Sequence, residues 1–132
     1  MNTVVLDASV GVKWFRDESG SAEARAMLRS HGSGEIRIVV PSLFVYEFAG
    51  VATRLLQPDE ARDLWARFLD WRISVREVGD SLMRDAFDIR ERYGCTLYDA
   101  LSPALAAQIG ATLCSADRRA HGGMPGAVII GE

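Results

Sequence analysis

Four acidic residues could place their carboxylates in one shared site: Asp7, Glu47, Asp99 and Asp117. Gathered carboxylates repel by roughly 3 kcal/mol per pair at about 5 Å with an effective dielectric near 20, so a fold gains nothing from the cluster itself. Divalent cations such as Mg²⁺ or Mn²⁺ prefer oxygen ligands and would offset that repulsion. Two such ions could activate a water and stabilise the leaving oxygen during attack on a phosphodiester. We therefore interpret the four acids as candidate metal ligands of a phosphodiester-cleaving site.

Asp7 and Asp117 occupy similar places in the sequence. Each follows a short apolar run of strand-forming residues, which is typical of a buried strand that ends in an acid. Ligands of open α/β sheets bind beyond the carboxyl ends of the strands, so both acids are candidates for a site there. Ser9 and Ser115 each lie two residues from one of these acids and could orient carboxylates or waters. A turn or helix-capping role for the two acids is the alternative interpretation.

Glu47 and Asp99 fall on predicted helices. Glu47 follows Leu43 by four residues, so we expect it to face the apolar side of its helix, where an acid needs a partner. That partner could be a cation of the site or an arginine such as Arg54, and a solvated surface glutamate is the alternative interpretation. Asp99 follows Thr96 by three residues at the start of a helix, so a capping or helix-dipole role is equally open for it.

Strand-like and helix-like segments alternate along the chain, which predicts an α/β fold with a parallel sheet of about five strands and helices on both faces. In the strand order 3-2-1-4-5, strands one and four are neighbours, so Asp7 and Asp117 would face each other. Ser42 is expected to cap a helix, and residues 30–34 are expected to form a loop. The predicted strands lie near residues 4–6, 36–40, 73–78, 111–114 and 127–130, and the predicted helices near 8–15, 22–29, 42–56, 58–71, 81–93, 96–109 and 118–123.

The composition predicts one domain over residues 1–132, because 48% hydrophobic residues suffice for a single core. No stretch resembles a signal peptide or a membrane span, so we expect a cytoplasmic protein without membrane contact. The formal net charge of −3 does not exclude an RNA partner, since two divalent cations would more than offset it. Cys95 and Cys114 are expected to be free thiols.

The helix predicted at 58–71 has an apolar face wider than one contact requires. Four large apolar residues belong to that face: Trp65, Phe68, Leu69 and Trp71. A domain of this size should not leave so much apolar surface in water, so we predict that the protein self-associates as a dimer.

Four motifs, in this order, resemble those of the PIN-domain ribonucleases, and most of all the VapC-type toxins of bacterial and archaeal toxin–antitoxin pairs. The similarity spans nearly the whole chain, from Val4 to Ile130. The motifs are Val-Val-Leu-Asp-Ala-Ser at 4–9, Pro-Ser-Leu at 41–43 with Glu47, Tyr-Asp-Ala at 98–100 with Ala-Leu-Ala at 104–106, and Leu-Cys-Ser-Ala-Asp at 113–117.

The resemblance implies a single PIN domain that acts as an Mg²⁺- or Mn²⁺-dependent endoribonuclease, with the four acids as its catalytic and metal-binding residues. It also implies an RNA substrate, a cognate antitoxin as protein partner, and a homodimer. Candidate RNA contacts are Lys13, Arg118 and Arg119. We expect apolar residues of the antitoxin to dock near Trp14, Phe15 and the helix that follows the second strand.

Pro103 departs from the family pattern. A proline four residues after Asp99 cannot donate a hydrogen bond to the Asp99 carbonyl, and its ring clashes with that carbonyl. We therefore expect the helix to kink or to start late, with Ser102 as its cap, and Asp99 to be displaced unless another contact compensates. A displaced acid would favour the alternative function, a catalytically weak PIN-fold module that binds RNA or a partner protein.

Overall fold

The computed structural model describes residues 2–131. Five strands and the helices between them follow one another in the predicted alternation. The strands are β1 (Asn2–Leu6), β2 (Ile36–Pro41), β3 (Ser74–Arg76), β4 (Thr112–Ser115) and β5 (Val128–Ile129). The helices are α1 (Ala8–Gly11), continued by a 3₁₀ turn (Val12–Trp14), and α2 (Ser21–Ser33), α3 (Ser42–Leu55), α4 (Pro58–Trp71), α5 (Asp80–Tyr93), α6 (Leu97–Ile109) and α7 (Arg118–His121).

The sheet has the order β3-β2-β1-β4-β5, and each neighbouring pair of strands is parallel, as predicted. β1 is central, and Asp7 directly follows it. The backbone N–H of Asp7 donates to the carbonyl of Cys114 at 3.0 Å, which extends the pairing of β1 with β4 by one residue. The carboxyl ends of parallel strands meet at one edge of a sheet, so Asp7 and the residues after β4 share that edge.

The strands bury side chains on both faces, because successive residues of a strand point in opposite directions. Leu6 and Ile38 contribute to one core with α1 to α4, and Val5 and Val39 contribute to a second core with α5 and α6. The prediction of helices on both faces is therefore confirmed. No helix within residues 2–131 combines the length and the apolar character that crossing a membrane requires.

α1 packs closely on α3, and this contact positions the first acid beside the helix that carries the second. A Cβ at Gly11 would lie only 2.5 Å from Cζ of Phe44, so the ring of Phe44 rests directly on the backbone of α1. Glycine is the one residue that allows so close an approach. The contact brings the helix after Asp7 against the helix that contains Glu47.

The predicted loop at 30–34 is wrong, because α2 continues to Ser33. His31 explains the extension. Its Nε2 donates to the carbonyl of Trp71 at 3.0 Å, and its Nδ1 accepts from the N–H of Ile38 at 3.0 Å. These contacts fix the last turn of α2, and Gly34 ends the helix with a φ of 83°. The predicted cap is also one residue late, since Ser42 is the first residue of α3.

The wide apolar face predicted for α4 is mostly internal. Phe68 is buried, and Trp71 packs against the same core, 5.3 Å between ring centroids from Trp14. Trp65 stacks on Phe68 and is 40% exposed, and Leu69 is 57% exposed. The surface offered for self-association is therefore smaller than the sequence predicts, because two of the four residues complete the core.

Candidate functional site

Asp7 and Asp117 lie at the carboxyl edge of the sheet and cap the short helices that follow them. The N–H of Ser9 donates to Oδ2 of Asp7 at 3.0 Å, and the N–H of Ala120 donates to Oδ1 of Asp117 at 3.0 Å. The capping interpretation thus holds for both residues. Within residues 2–131 the hydrogen bonds reach only one oxygen of each carboxylate, and both side chains are half-buried. The second oxygen of each acid is left for a ligand.

Asp99 lies in the first turn of α6, where Thr96 caps the helix. The N–H of Asp99 donates to Oγ1 of Thr96 at 3.0 Å, and the helix runs through Pro103 to Ile109. The predicted late start at Ser102 is therefore wrong. Asp99 and Asp117 line one pocket of about 390 Å³, so the structure brings these two acids together.

Glu47 is exposed on α3, and the prediction that it faces inward is wrong. Phe44 and Phe48 form the buried stripe of the helix, and Glu47 lies on its flank with Leu43 and Val51. Spacing by four defines a shared face without telling which face is buried. None of the ion pairs formed within the described part of the chain involves Glu47, so the structure shows no arginine partner for it.

The charge of Glu47 is coupled to two of the other acids. The pKa of its carboxyl is raised from 4.5 to about 6. Partial desolvation is the largest cause, followed by the charge of Asp7 and the charge of Asp99. Like charges produce such a shift only over short distances in a protein. Glu47 therefore shares the cleft with Asp7 and Asp99, which in turn shares a pocket with Asp117.

The donor set fits a hydrated divalent cation. In the part of the chain that the structure describes, no three side chains of His, Cys, Asp or Glu are close enough to enclose an ion directly. Mg²⁺ usually keeps several waters and takes only one or two carboxylates from the protein, so it does not need a closed cage. Over the same residues, no lysine or arginine forms an ion pair with any of the four acids. Carboxylates that no lysine or arginine neutralises are suitable ligands for such an ion.

Ser9 and Ser115 connect the ends of β1 and β4. Oγ of Ser9 accepts from the N–H of Ala116 at 3.0 Å and lies 3.5 Å from Oγ of Ser115. Oγ of Ser115 accepts from the N–H of Asp117 at 3.0 Å. The two hydroxyls therefore hold the backbone beside the acids, whereas the carboxylate of Asp7 is oriented by the backbone N–H of Ser9.

The three candidate RNA contacts differ in position. Lys13 is buried, with its Nζ 3.1 Å from Oε1 of Glu18 and bonded to the carbonyl of Ser19. Its ammonium closes a loop, so the structure contradicts the prediction that it contacts RNA. Arg118 and Arg119 are exposed on α7, and Arg119 lines the pocket that contains Asp99 and Asp117. Their contact with RNA stays a prediction.

Sequence reasoning missed His121, which is fully buried beside two of the acids. Its Nδ1 is 2.6 Å from Oγ of Ser115, and its Nε2 is 2.7 Å from the carbonyl oxygen of Asp99. Pro103 was the available signal in the sequence. It leaves the Asp99 carbonyl without its helix donor, so a donor from another element was to be expected.

Glu47→Gln is expected to stabilise the metal-free protein at neutral pH. The raised pKa of Glu47 means that the native state holds its proton more tightly than the unfolded chain does, so ionisation costs native stability as the pH rises from 4.5 to about 6. Glutamine removes that cost. We expect a gain below about 1 kcal/mol, because solvent screens an exposed group.

Thermal melting in EDTA at several pH values checks this prediction. The gain should be complete above about pH 6 and absent below pH 4.5. Glu91→Gln, an exposed change of the same kind on α5, should show no such pH dependence. Equal pH profiles for the two variants would contradict the charge coupling in the cleft.

Comparison with known proteins extends these findings. The family model described as PIN domain matches residues 4–122. No curated protein matched the chain. Among solved structures, a toxin–antitoxin complex from Klebsiella pneumoniae aligns with a TM-score of 0.74 and 16% identity over 95% of each chain. The DNA-bound VapBC complex from Salmonella typhimurium aligns with a TM-score of 0.71 and 18% identity, over 98% of this chain and 97% of that chain. FitAcB from Neisseria gonorrhoeae aligns with a TM-score of 0.70 and 18% identity over 96% of each chain.

At these identities the structural likenesses concern the fold. The family model is independent of them and covers both strand-end acids, Asp7 and Asp117, together with Glu47 and Asp99. The matched residues include β1 to β4, the strands that place Asp7 and Asp117 at one edge of the sheet. The chain therefore belongs to the PIN domain family.

Proposed function

We propose that the protein is a metal-dependent endoribonuclease and acts as the toxin of a toxin–antitoxin pair. The observation that carries the proposal is geometric: Asp7 follows β1, Asp117 follows the neighbouring strand β4, and Asp99 lines one pocket with Asp117. The charges of Asp7 and Asp99 also contribute to the raised pKa of Glu47, so these acids repel one another. A fold has no structural reason to maintain this repulsion, and a bound divalent cation would relieve it. Membership of the PIN family and the toxin–antitoxin neighbours support the same function.

In this proposal the four acids hold Mg²⁺ or Mn²⁺, which when bound supplies charge stabilisation and an activated water for phosphodiester hydrolysis. Asp7 and Asp117 offer the carboxylate oxygens that their capping bonds leave free. Asp99 and Asp117 line the same pocket. Glu47, whose pKa is raised to about 6 without a cation, would be held ionised by the bound metal.

Arg118 and Arg119 would hold the RNA beside the acids. Both guanidinium groups are exposed on α7, directly after Asp117. Arginine binds phosphate through a planar fork of N–H donors, and such contacts supply most of the sequence-independent affinity for RNA. Arg119 lines the pocket that contains Asp99 and Asp117, where its charge would partly offset theirs.

A cognate antitoxin is the proposed protein partner, and the groove between α3 and α4 is its proposed docking site. The neighbours that share the fold come from toxin–antitoxin complexes. The groove has a volume of about 430 Å³ and an apolar floor that includes Phe48, Leu64 and Trp65. Trp14, where docking was expected, is buried in the core and offers no surface. A homodimer through Trp65 and Leu69 stays a prediction.

The alternative function is a PIN-fold module that binds RNA or a partner without cleaving. It is favoured by one observation, that the described acids do not enclose an ion directly. Metal-dependent cleavage of RNA separates the two functions, because the module binds its RNA or its protein partner without cutting.

The experiment uses the purified chain with end-labelled single-stranded RNA in Mg²⁺, in Mn²⁺ and in EDTA. The nuclease proposal expects shorter products that require a divalent cation and disappear in EDTA, because the acids then lack their cation. RNA retained intact by the protein under all metal conditions would overturn the proposal and support the binding module.

A further inference from the structure

The carbonyl of Asp99 has no helix donor, although it lies inside α6. In a regular helix it would accept a hydrogen bond from the N–H of residue 103, four residues on. Pro103 has no N–H, and a proline inside a helix is strongly destabilising. The helix nevertheless continues from Leu97 to Ile109 and keeps Asp99 in its first turn. Another contact must therefore satisfy the freed carbonyl.

His121 supplies that contact from a different element. Its Nε2 lies 2.7 Å from the carbonyl oxygen of Asp99. A carbonyl oxygen can only accept, so Nε2 carries the hydrogen, and Nδ1 of the neutral ring is then an acceptor. Nδ1 lies 2.6 Å from Oγ of Ser115, whose hydroxyl hydrogen it accepts. The ring is fully buried, and both of its nitrogens are satisfied.

The same ring is tied to the fourth acid. The backbone N–H of His121 donates to the carbonyl of Asp117 at 2.9 Å, and Asp117 caps the short helix that carries His121. Ser115, the hydroxyl partner of the ring, also accepts from the N–H of Asp117. His121, which lies 22 residues after Asp99 in the sequence, therefore links the backbone of Asp99 to that of Asp117.

We infer that His121 is a positioning residue that holds Asp99 against Asp117 by replacing the helix hydrogen bond lost at Pro103. The inference rests on the proposed function only in taking these two acids as metal ligands. The residues that orient the ligands of a metal are often worth a factor of about 10 to 100 in metal affinity. A histidine that merely fills the core would stabilise the fold without depending on what occupies position 103.

The dependence on Pro103 provides the test. Alanine at position 103 restores an N–H that can donate to the Asp99 carbonyl. In the Pro103→Ala variant, Asp99 should therefore keep its position without His121. The set comprises wild type, His121→Ala, Pro103→Ala and the double variant. Mn²⁺ affinity is measured by calorimetry, thermal stability by circular dichroism, and RNA cleavage separately. Any cost of leaving Ser115 without its ring partner is common to both backgrounds and cancels in the comparison.

We expect His121→Ala to weaken Mn²⁺ binding by about 10-fold or more when Pro103 is present. In the Pro103→Ala background the same change should weaken binding by less than about 3-fold, and the loss of thermal stability should shrink in parallel. Equal losses of Mn²⁺ affinity in the two backgrounds would overturn the inference. So would a loss of stability with unchanged Mn²⁺ affinity.

Two further variants keep the test decisive if His121→Ala does not fold. The amide of glutamine can reach the place of Nε2 and donate to the Asp99 carbonyl, whereas asparagine reaches only the place of Nδ1. His121→Gln should therefore bind Mn²⁺ more tightly than His121→Asn when Pro103 is present, and the two should be equal in the Pro103→Ala background. Equal affinities in both backgrounds would contradict the inference.

The same measurements distinguish a failure of the proposed function from a failure of the inference about His121. A chain that binds Mn²⁺ with the expected coupling and cleaves no RNA refutes the nuclease and leaves the role of His121 intact. RNA cleavage without that coupling refutes the role of His121 alone. A wild-type chain that binds no Mn²⁺ overturns both.

Discussion

Asp7→Asn is expected to lower metal-dependent RNA cleavage by about 100-fold or more, because it removes a charged ligand from the centre of the cleft. The fold should survive. Asparagine caps helices as well as aspartate does, so its side-chain oxygen can still accept from the N–H of Ser9. The substitution also removes one of the charges that raise the pKa of Glu47, so the metal-free protein should melt at the same temperature or higher.

Cleavage rates in Mn²⁺ and melting curves in EDTA, measured on the same preparation, check this prediction. Asp70→Asn is the matched control, since it makes the same change of charge at an exposed position of α4. It should cleave like the wild type. Wild-type cleavage by Asp7→Asn would contradict the metal-ligand role of Asp7, and a lowered melting temperature would indicate a structural role instead.

Ala61→Arg is expected to weaken antitoxin binding on the order of 100-fold, the loss typical of blocking the centre of an interface. Ala61 lines the groove between α3 and α4, so a long charged side chain there would occupy the space proposed for the antitoxin. The cleft with the acids lies elsewhere, at the carboxyl edge of the sheet. Cleavage by the free variant should therefore equal that of the wild type.

Calorimetric titration with a cognate antitoxin, to be sought among the neighbouring reading frames, measures the loss. Ala66→Arg is the control, because Ala66 is exposed on the same helix and does not line the groove. It should bind with wild-type affinity. Equal binding by both variants would place the antitoxin outside this groove.

The sheet and the acids at its edge were predictable from the sequence. The apolar run before Asp7 forms a central parallel strand buried on both faces, and such strands leave a clear signal. Gly94, Gly110 and the residues around them likewise mark where α5 and α6 end. These features depend on local sequence, so local sequence reveals them.

The errors arose where distant residues decide. His31 extends α2 through contacts with Ile38 and with Trp71, 40 residues away. Lys13 is buried because Glu18 and Ser19 fold back over its ammonium and Gly131, near the other end of the chain, lies against them. Such contacts have no local signature, so a periodic pattern or a charge count cannot reveal them.

Two features of the site depend on tertiary structure in the same way. The rotation of α3 is set by Phe44 and Phe48, which leaves Glu47 on the flank of the helix instead of its buried side. From the sequence alone, Pro103 predicts a helix that kinks or starts late, with Asp99 displaced. The compensating donor is His121, which lies on another helix and has no signature in the sequence around Pro103. In both cases the environment of the residue depends on contacts that only the fold creates.

The central claim is that the four acids hold the divalent cations that support RNA cleavage. Titration of Mn²⁺ into the wild type, Asp7→Asn and Asp117→Asn, followed by calorimetry and by cleavage rate, tests it most directly. We predict that cleavage by the wild type rises with the same midpoint as Mn²⁺ binding, and that both are lost together in the two variants. Mn²⁺ binding that survives both substitutions, or RNA cleavage that persists in EDTA, would contradict the claim.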